Sequence, residues 1–394
     1  MSDRAEGDRV PKSGGESLPL SGIRVLELGR YLAGPLVGQL LGDLGAEVVK
    51  IERRGFGDEF RQYGRTFVKD RDGNPTRESA PYTSANRNKR SVEVDLANPD
   101  GQEIVRGLAR KCDIFIENFK VGALAKFGLD HDSLARINPR LIYCSITGFG
   151  QTGPYAHRAG YDFIIQGMSG LMSITGEPDG QPQKSGVAIT DVFTGIYAVT
   201  AILAALHQRE RTGRGQQIDM SLLDVAVAVT ANQALNYLTT GKAPGRMGNA
   251  HVNLAPYQVF DCRDGHIIIA TGNDRQYRRL CAILALEDMA EAPEFARNRD
   301  RIANRRVMIA RLNGATAQRS RADLLAACEA QGVPAGPIND LAAVMADPQV
   351  IHRNMRIELD GVPGVRAPFR FSDADLALHR PAPGLGEDDP GPNG

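Results

Sequence analysis

Between residues 23 and 150, apolar runs of strand length alternate with stretches of helical spacing, and this alternation constrains the fold more than any other feature of the chain. IRVLEL (23–28) and EVVKIE (47–52) read as buried strands, with an amphipathic run, LVGQLLGDLGA (36–46), between them. SVEVDL (91–96), CDIFIEN (112–118) and LIYCSITGFG (141–150) read as further strands. Asn-Pro-Asp at 98–100 opens a helix to about Lys111, and ALAKFG and SLARI supply helical text before the last of these strands. Such alternation predicts an α/β fold with a parallel sheet, because parallel neighbours need a crossover, usually a helix. Residues 53–90 are polar and rich in Arg and Gly, and read as a long functional loop.

The second half is organised differently. In TDVFTGIYAVTAILAALHQRERTGRG (190–215), apolar residues at 196, 199, 202, 203 and 206 have helical spacing. Thr190 or Asp191 can cap the start of that helix; Arg209, Arg211 and then Gly213 suit its end. Another helical stretch, at about 221–238, reads as a connector. GVPAGPIND (332–340) reads as a turn into a last segment, and the closing RPAPGLGEDDPGPNG, rich in Pro, Gly and acid, as loose. The expected division is a disordered tail at 1–17, a large α/β domain at 18–220, a linker helix at 221–244, a smaller domain at 245–330 containing HIIIA (266–270), and a segment at 331–394 returning to the large domain.

Composition narrows the function. At ~150 residues per domain, 394 residues suggest two or three domains. Lys and Arg number 47, and so do Asp and Glu, so the formal charge is zero and no nucleic acid is expected as partner. Five cysteines stand apart at 112, 144, 262, 281 and 328; without paired ligand spacing they predict neither a disulfide framework nor a metal site, and fit a reducing cytoplasm. No run of ~18 apolar residues predicts a membrane span. The first 17 residues lack an apolar targeting core and carry Asp3, Glu6, Asp8 and Glu16. A nucleophile elbow, a P-loop and HExxH are all missing, so serine-hydrolase, NTPase and zinc-protease readings lose support.

Five places remain as candidates for chemistry, each with a plainer alternative. GRYLAGP (29–35) joins a strand to a helix, a ready anion site or an ordinary tight turn. It lacks the dinucleotide glycines, so Glu52 at the next strand end is a weak sign of NAD. Arg53, Arg54, Arg61 and Arg65 form either a phosphate grip or a solvated face. Arg87 in ANRNKRS either holds a carboxylate in a fork or lies in a solvated loop. Asp191 is either a helix cap or a carboxylate nucleophile. His251 in GNAHVN either borders a site or is a surface histidine.

Longer motifs carry a resemblance. IRVLELGRYLAGPLVGQLLGDLGAEVVKIERRGFGD, NRNKRSVEVDL, ENFKVGALAKFGL, NPRLIYCSITGFGQTGP, AGYDFIIQGMSGLMSITG, GVAITDVFTGIYAVTAILAALHQRERTGRGQQIDMSLLD and GVPAGPIND follow one another in the order of a known family. Over about residues 18 to 387 the chain resembles the class III CoA-transferases, the group with formyl-CoA transferase, carnitine CoA-transferase and α-methylacyl-CoA racemase. The resemblance implies a large Rossmann-like domain with a parallel sheet, a smaller α+β domain, and two chains interlocked as a homodimer. It implies no permanently bound cofactor; a coenzyme A thioester is the substrate, together with a small carboxylic acid.

Residue by residue, the family's catalytic aspartate falls on Asp191 in AITDVFTG. Arg53 matches the arginine that contacts the CoA nucleotide. Val94, Asn118, Phe119, Ala123 and Lys126 fall at other CoA-contacting positions, with Lys126 in place of an arginine, and Arg30, Leu32 and Ala33 border the thioester. Tyr161, Asp162 and His251 fall near the acyl substrate. Where the racemase branch has Gly-His-Asp, this chain has Gly160-Tyr161-Asp162. A tyrosine of ordinary pKa near ~10 is a poor base at neutral pH, so transfer is expected over racemisation. Arg87 and the loop GNAHVNLAPYQ look like the branch acting on dicarboxylates, the succinyl-CoA:glutarate type, and Arg87 is expected to pair with the distal carboxylate. The alternatives are an acyl-CoA racemase or epimerase with an unusual base, a non-catalytic acyl-CoA binding protein and, more remotely, an NAD-dependent dehydrogenase. After GLGE the family usually continues into a short helix, whereas this chain ends EDDPGPNG.

Overall fold

The computed structural model describes residues 18–69 and 72–388; the tail expected at 1–17 and the last residues of EDDPGPNG lie outside the described residues. Two compact units emerge, one made of residues up to 169, 186–231 and 352 onward, the other of 170–185 and 232–351.

The first unit is built on six parallel strands: β1 (Arg24–Leu28), β2 (Glu47–Arg53), β5 (Lys89–Val94), β6 (Ile114–Glu117), β7 (Ile142–Thr147) and β8 (Gln216–Ser221), in spatial order β5-β2-β1-β6-β7-β8. From β1 the chain runs outward to β2 and β5, then returns to lay β6 on the other side of β1. The crevice at the carboxyl ends of β1 and β6 is therefore the topological switch point, where open α/β sheets bind ligands.

Side chains alternate across the strands. Leu26 and Leu28 of β1 join Val92, Val94, Phe115 and Tyr143 in a core completed by Val105 and Ala109 of α3 (Pro99–Ala109) and Leu134 of α4 (His131–Ile137). The opposite face is covered by α1 (Ala33–Asp43) and α6 (Ile189–Thr212), which pack on each other. Gly195 permits that crossing, since a Cβ there would lie 3.1 Å from Leu36 of α1. By length and composition alone α6 could cross a membrane; 39% of its apolar window is buried within this chain.

The segment expected as a long loop at 53–90 is structured. It contains a 3₁₀ turn (Glu59–Gln62), an antiparallel pair of β3 (Phe67–Lys69) and β4 (Pro75–Ser79), and α2 (Ala80–Thr83) capped by Ser79. β8 gives only a short strand signal, Ile218 and Met220 alternating with polar residues, because it is an edge strand with one exposed face. The expected connector at 221–238 is two helices, α7 (Leu222–Val229) and Ala231–Thr240; Ala231 between them has φ +44°. The closing segment expected to be loose is tied down as far as Asp388. Asp388 N donates to Ser91 O (3.0 Å), Ser91 N donates to Asp388 Oδ2 (3.1 Å), and Gly386 N donates to Ser91 Oγ (3.1 Å). The segment thereby covers the free edge of β5, an edge that would otherwise offer unpaired backbone groups to other chains.

The second unit has a three-stranded antiparallel sheet, β9 (Tyr257–Cys262), β10 (Gly265–Ala270) and β11 (Ala335–Pro337), with β10 in the middle. Phe260, Ile267 and Ile269 meet Tyr277, Leu280, Met308, Leu312 and Leu324 from its helices in one core. Because β11 pairs with β10, residues 331–351 stay in this unit, and the chain rejoins the first unit from His352 on.

Candidate active site

Strand β1 ends at Leu28, level with Glu117 of β6, and the turns that follow are clamped together across the switch point. Asn118 Oδ1 accepts from Arg30 N (2.9 Å), and Asn118 Nδ2 donates to Arg30 O (2.7 Å). The turn closes tightly at Gly29 and Gly34; a Cβ on either would lie 3.1 Å from the other's backbone. Beneath it Lys50 Nζ donates to Gly29 O (2.6 Å) and Lys89 Nζ to Pro35 O (2.7 Å), so two buried cations support the turn from the sheet. Helix α1 starts at Ala33, with Leu32 as N-cap and no side chain on its free N–H groups.

A cleft of about 240 Å³ lies at the carboxyl ends of β1, β2 and β5, lined by Arg30, Arg53, Val94 and Phe119 on one part of its wall and Asp58 and Glu59 on another. The Arg30 guanidinium sits 4.8 Å from the Phe119 ring centre and pairs with Glu59 (2.8 Å). Arg53 is exposed, rests over Phe56 and has no carboxylate partner among the described residues. Lys126, also exposed, sits over the ring of Phe127, which lines the same cleft. Ala123 closes the turn after Phe119, its N–H donating to Lys120 O (2.9 Å). Arg30 and Arg53 thus face a cleft that also holds the rings of Phe119 and Phe127 and the carboxylates of Glu52, Asp58, Glu59 and Asp95. Arg53, without a carboxylate partner among the described residues, is the cation open to a phosphate.

Asp191 lies in the first turn of α6 and is half-buried. Burial in the first place, and the like charge of Asp162 in the second, push its carboxyl up to about 7. The expected cap from Thr190 or Asp191 is not formed. Instead Asp162, at the start of α5 (Asp162–Met168), supplies it from outside: its Oδ1 accepts from Thr190 N (2.8 Å) and Thr190 Oγ1 (2.6 Å), and its Oδ2 from Gln166 Nε2 (2.7 Å). The helix closes as its sequence requires, with Gly213 left-handed at its end.

One residue missed by sequence reasoning joins the first turn to this region. Tyr31 has φ +63°, a left-handed conformation that costs a side chain-bearing residue energy. Its ring meets Phe60, Tyr63 and, edge-on at 6.2 Å, Tyr161, the residue before Asp162. Nothing in GRYLAGP announces that geometry.

Arg87 requires a correction. It does grip a carboxylate in a fork, but the carboxylate is the chain's own Asp43: Nε donates to Oδ1 (2.8 Å) and Nη2 to Oδ2. A third donor, Nη1, bonds Val365 O (2.9 Å), and the side chain is buried. Its remaining capacity for a substrate acid is small, and its role is to neutralise a buried aspartate. Arg87→Ala is therefore expected to cost ~3 kcal/mol or more of stability, as broken buried pairs do. A fall in melting temperature, with the acceptor KM of the folded enzyme unchanged within ~2-fold, would agree; a KM rise of tenfold without loss of stability would restore the substrate role. His251 lies in the second unit, where its Nδ1 accepts from Asn253 N (3.0 Å) and its ring leans on Tyr257; it is not among the residues the first unit brings together.

Comparison with known proteins agrees with this architecture. A family model described as CoA-transferase family III matches residues 20–389. The chain is 53% identical over 374 residues to the succinate–glutarate CoA-transferase of Agrobacterium fabrum, covering 94% of this chain and 93% of that protein. It is 43% identical over 385 residues to the succinyl-CoA:glutarate CoA-transferase of Mus musculus, covering 96% and 86%. It is 39% identical over 371 residues to the acetyl-CoA:oxalate CoA-transferase of Acetobacter aceti, covering 94% and 93%. Among solved structures, a CaiB/BaiF family protein from Brucella suis superposes with a TM-score of 0.86 at 54% identity, covering 94% of this chain and 97% of that one. With a clamped switch point and a half-buried aspartate opening the long helix, and a family model matched over residues 20–389, this chain belongs to CoA-transferase family III.

Proposed function

We propose that the chain moves CoA from succinyl-CoA to a short dicarboxylic acid such as glutarate, with Asp191 as the nucleophile. The observation that carries this reading is the Asp191 carboxyl, half-buried at the first turn of α6, a helix that packs against α1 behind the first turn. The names of the relatives supply the substrate class.

The Asp191 carboxylate attacks the thioester carbonyl; a C–O bond forms, the C–S bond breaks, and CoA thiolate leaves. The thiolate then attacks the Asp191 carbonyl of the mixed anhydride. Succinate departs with one oxygen from Asp191, leaving an aspartyl-CoA thioester. The acceptor carboxylate attacks that thioester and expels CoA thiolate, which finally takes the new acyl group and frees Asp191. No net proton or electron is needed. Each tetrahedral oxyanion needs donors aimed at it, and the uncapped N–H groups at the start of α1 are suited to that task.

In this reading Arg53 and Lys126 hold the nucleotide phosphates, with Val94, Asn118, Phe119 and Ala123 walling that end. Arg30, Leu32 and Ala33 border the thioester, and Tyr161 and Asp162 lie on the acyl side of the first unit. Asn118 contributes mainly by holding the Arg30 backbone, since both ends of its amide are engaged there. Arg53→Ala is expected to raise the KM for the CoA thioester ~10-fold with little change in kcat, the loss of one charge-assisted contact. An unchanged KM would remove Arg53 from the binding site.

A homodimer fits the exposed apolar face formed by Phe163, Ile164 and Met168 of α5 with Ile196, Tyr197 and Leu203 of α6; a second copy would cover it. Five buried, unpaired cysteines fit the reducing cytoplasm as its setting. The direct test is a mass-spectrometric assay with succinyl-CoA and a panel of acids: glutarate, itaconate, citramalate, mesaconate, malate, oxalate, formate and carnitine. New glutaryl-CoA supports the reading. Transfer only to a monocarboxylate, or deuterium uptake at the acyl α-carbon without transfer, overturns it.

A further inference from the structure

Asp162 is the second carboxylate at the start of α6, and the reaction as written gives it no step. Its geometry is specific. It sits on α5, reaches across to bond both the N–H and the hydroxyl of Thr190, and has its other oxygen held by Gln166. It is thus fixed beside the residue that precedes Asp191. We propose that Asp162 is a positioning residue for the transfer: it caps the first turn of the nucleophile's helix and, as a fixed like charge, makes Asp191 the poorer leaving group of the mixed anhydride.

The consequence lies in how that anhydride divides. It holds two acyl carbons, and returning thiolate can attack either. Attack at the Asp191 carbonyl breaks the bond to the substrate acid's oxygen, expels that acid and advances the reaction. Attack at the substrate carbonyl breaks the bond to the Asp191 oxygen and expels Asp191. This regenerates the starting thioester from the first anhydride and releases the product from the second, so a poorer Asp191 leaving group holds the enzyme as the aspartyl-CoA thioester. The weaker base leaves more readily. Free short-chain carboxyls titrate near ~4.3, whereas burial and Asp162 hold Asp191 near 7, so the substrate acid is the better leaving group. The same shift makes the Asp191 carboxylate a stronger nucleophile in the first attack.

Other charges do not provide this effect. Asp43 of α1 is paired with Arg87, Asp219 of β8 accepts from Gln151 N, and Asp224 of α7 is exposed to solvent. Tyr143 of β7 is bonded to Leu129 O and Cys144 beside it is buried. On α6 itself Arg209 pairs with Asp113 at the far end. Asp162 is the charge that acts on Asp191 among the described residues.

This inference rests on Asp191 being the nucleophile, so the experiment separates the two. Asp162→Asn keeps an oxygen for the Thr190 N–H and removes the charge; Asp162→Ser does the same with a shorter capping side chain. The measurements are the pH profile of kcat/KM, thermal melting, and the mass of the Asp191-containing peptide after rapid quenching of a single turnover with succinyl-CoA. In both variants, the limb of the profile near pH 7 is expected to move down by up to about one unit, because a like charge has gone while burial, the larger cause, remains. The aspartyl-CoA adduct is expected to fall several-fold relative to return of succinyl-CoA, with melting near the wild type. Glu117 is also pushed up by burial to about 7, but it is not coupled to Asp162, so its own limb would stay in place. An unmoved profile and adduct in either folded variant would reduce Asp162 to a cap. Absence of any adduct on Asp191 in the wild type would instead remove the nucleophile itself.

Discussion

Asp191→Asn is expected to lower CoA transfer by at least ~10⁴-fold, because the amide retains the size and loses the attacking carboxylate. KM for the thioester should change little, since the nucleotide grip proposed above rests on Arg53, on another element. The variant should also be more stable than the wild type, and the sign follows from the shift. Asp191 is raised from 3.8 to about 7, so the folded chain holds its proton more tightly than the unfolded one. Ionising it therefore destabilises the fold progressively between about pH 4 and pH 7, and by a constant amount above. The gain in melting temperature of Asp191→Asn should grow across that window and level off beyond it. Transfer within tenfold of the wild type would exclude Asp191 as nucleophile. A flat melting difference from pH 4 to 8 would exclude the raised carboxyl.

Glu27→Ala is expected to be the most damaging single substitution for the fold. Glu27 lies wholly buried on β1, between the ammonium groups of Lys50 (3.0 Å) and Lys89 (2.8 Å), themselves buried. Room for it exists because residue 38 of α1 is glycine; a Cβ there would stand 1.8 Å from Glu27 Oε2. Burial already pushes Lys89 down to about 8, against the pull of Glu27. Without Glu27 that lysine has only the neutral acceptors Pro35 O and Asn86 Oδ1, while Lys50 keeps Asp58 (3.0 Å). Removing one partner from a buried ionic cluster costs ~3–5 kcal/mol, or roughly 4–6 °C of melting temperature for 394 residues at ~2.1 cal/mol/K per residue. Since both lysines also bond carbonyls of the first turn, what remains folded should bind CoA less well. A loss below ~1 kcal/mol by thermal or denaturant melting would show that the cluster is hydrated and unimportant.

What the sequence disclosed depends on which side chains are buried and how far apart partners lie along the chain. β1, β2, β6 and β7 were legible because both of their faces are covered, which enforces continuous apolar runs. β8 was not, because QQIDMS lies at an edge and half of it meets solvent. The long helix was legible from its spacing and its closing glycine, but its cap was not, since Asp162 comes from 28 residues earlier. Asp191 stood out only by resemblance; by itself it reads as one more acid in a first turn. Arg87 was read as a receptor for a carboxylate because Asp43, its actual partner 44 residues away, carries no local sign of burial. The left-handed Tyr31 left no mark on the sequence at all.

The strap over β5 bears on how the chain is made. Ser91 is bonded to Asp388, 297 positions later, and Arg61 finds one of its acceptors at Pro383, 322 positions later. At ~5–20 residues per second, the ribosome needs ~15–60 s to deliver Asp388 after Ser91 has emerged. Throughout that interval the outer strand of a parallel sheet stands open to any passing strand, and the first unit is unfinished although most of its sheet has been synthesised. Residues 380–388 close it, so a chain cut shortly before Arg380 would carry a sticky margin rather than merely a shorter one.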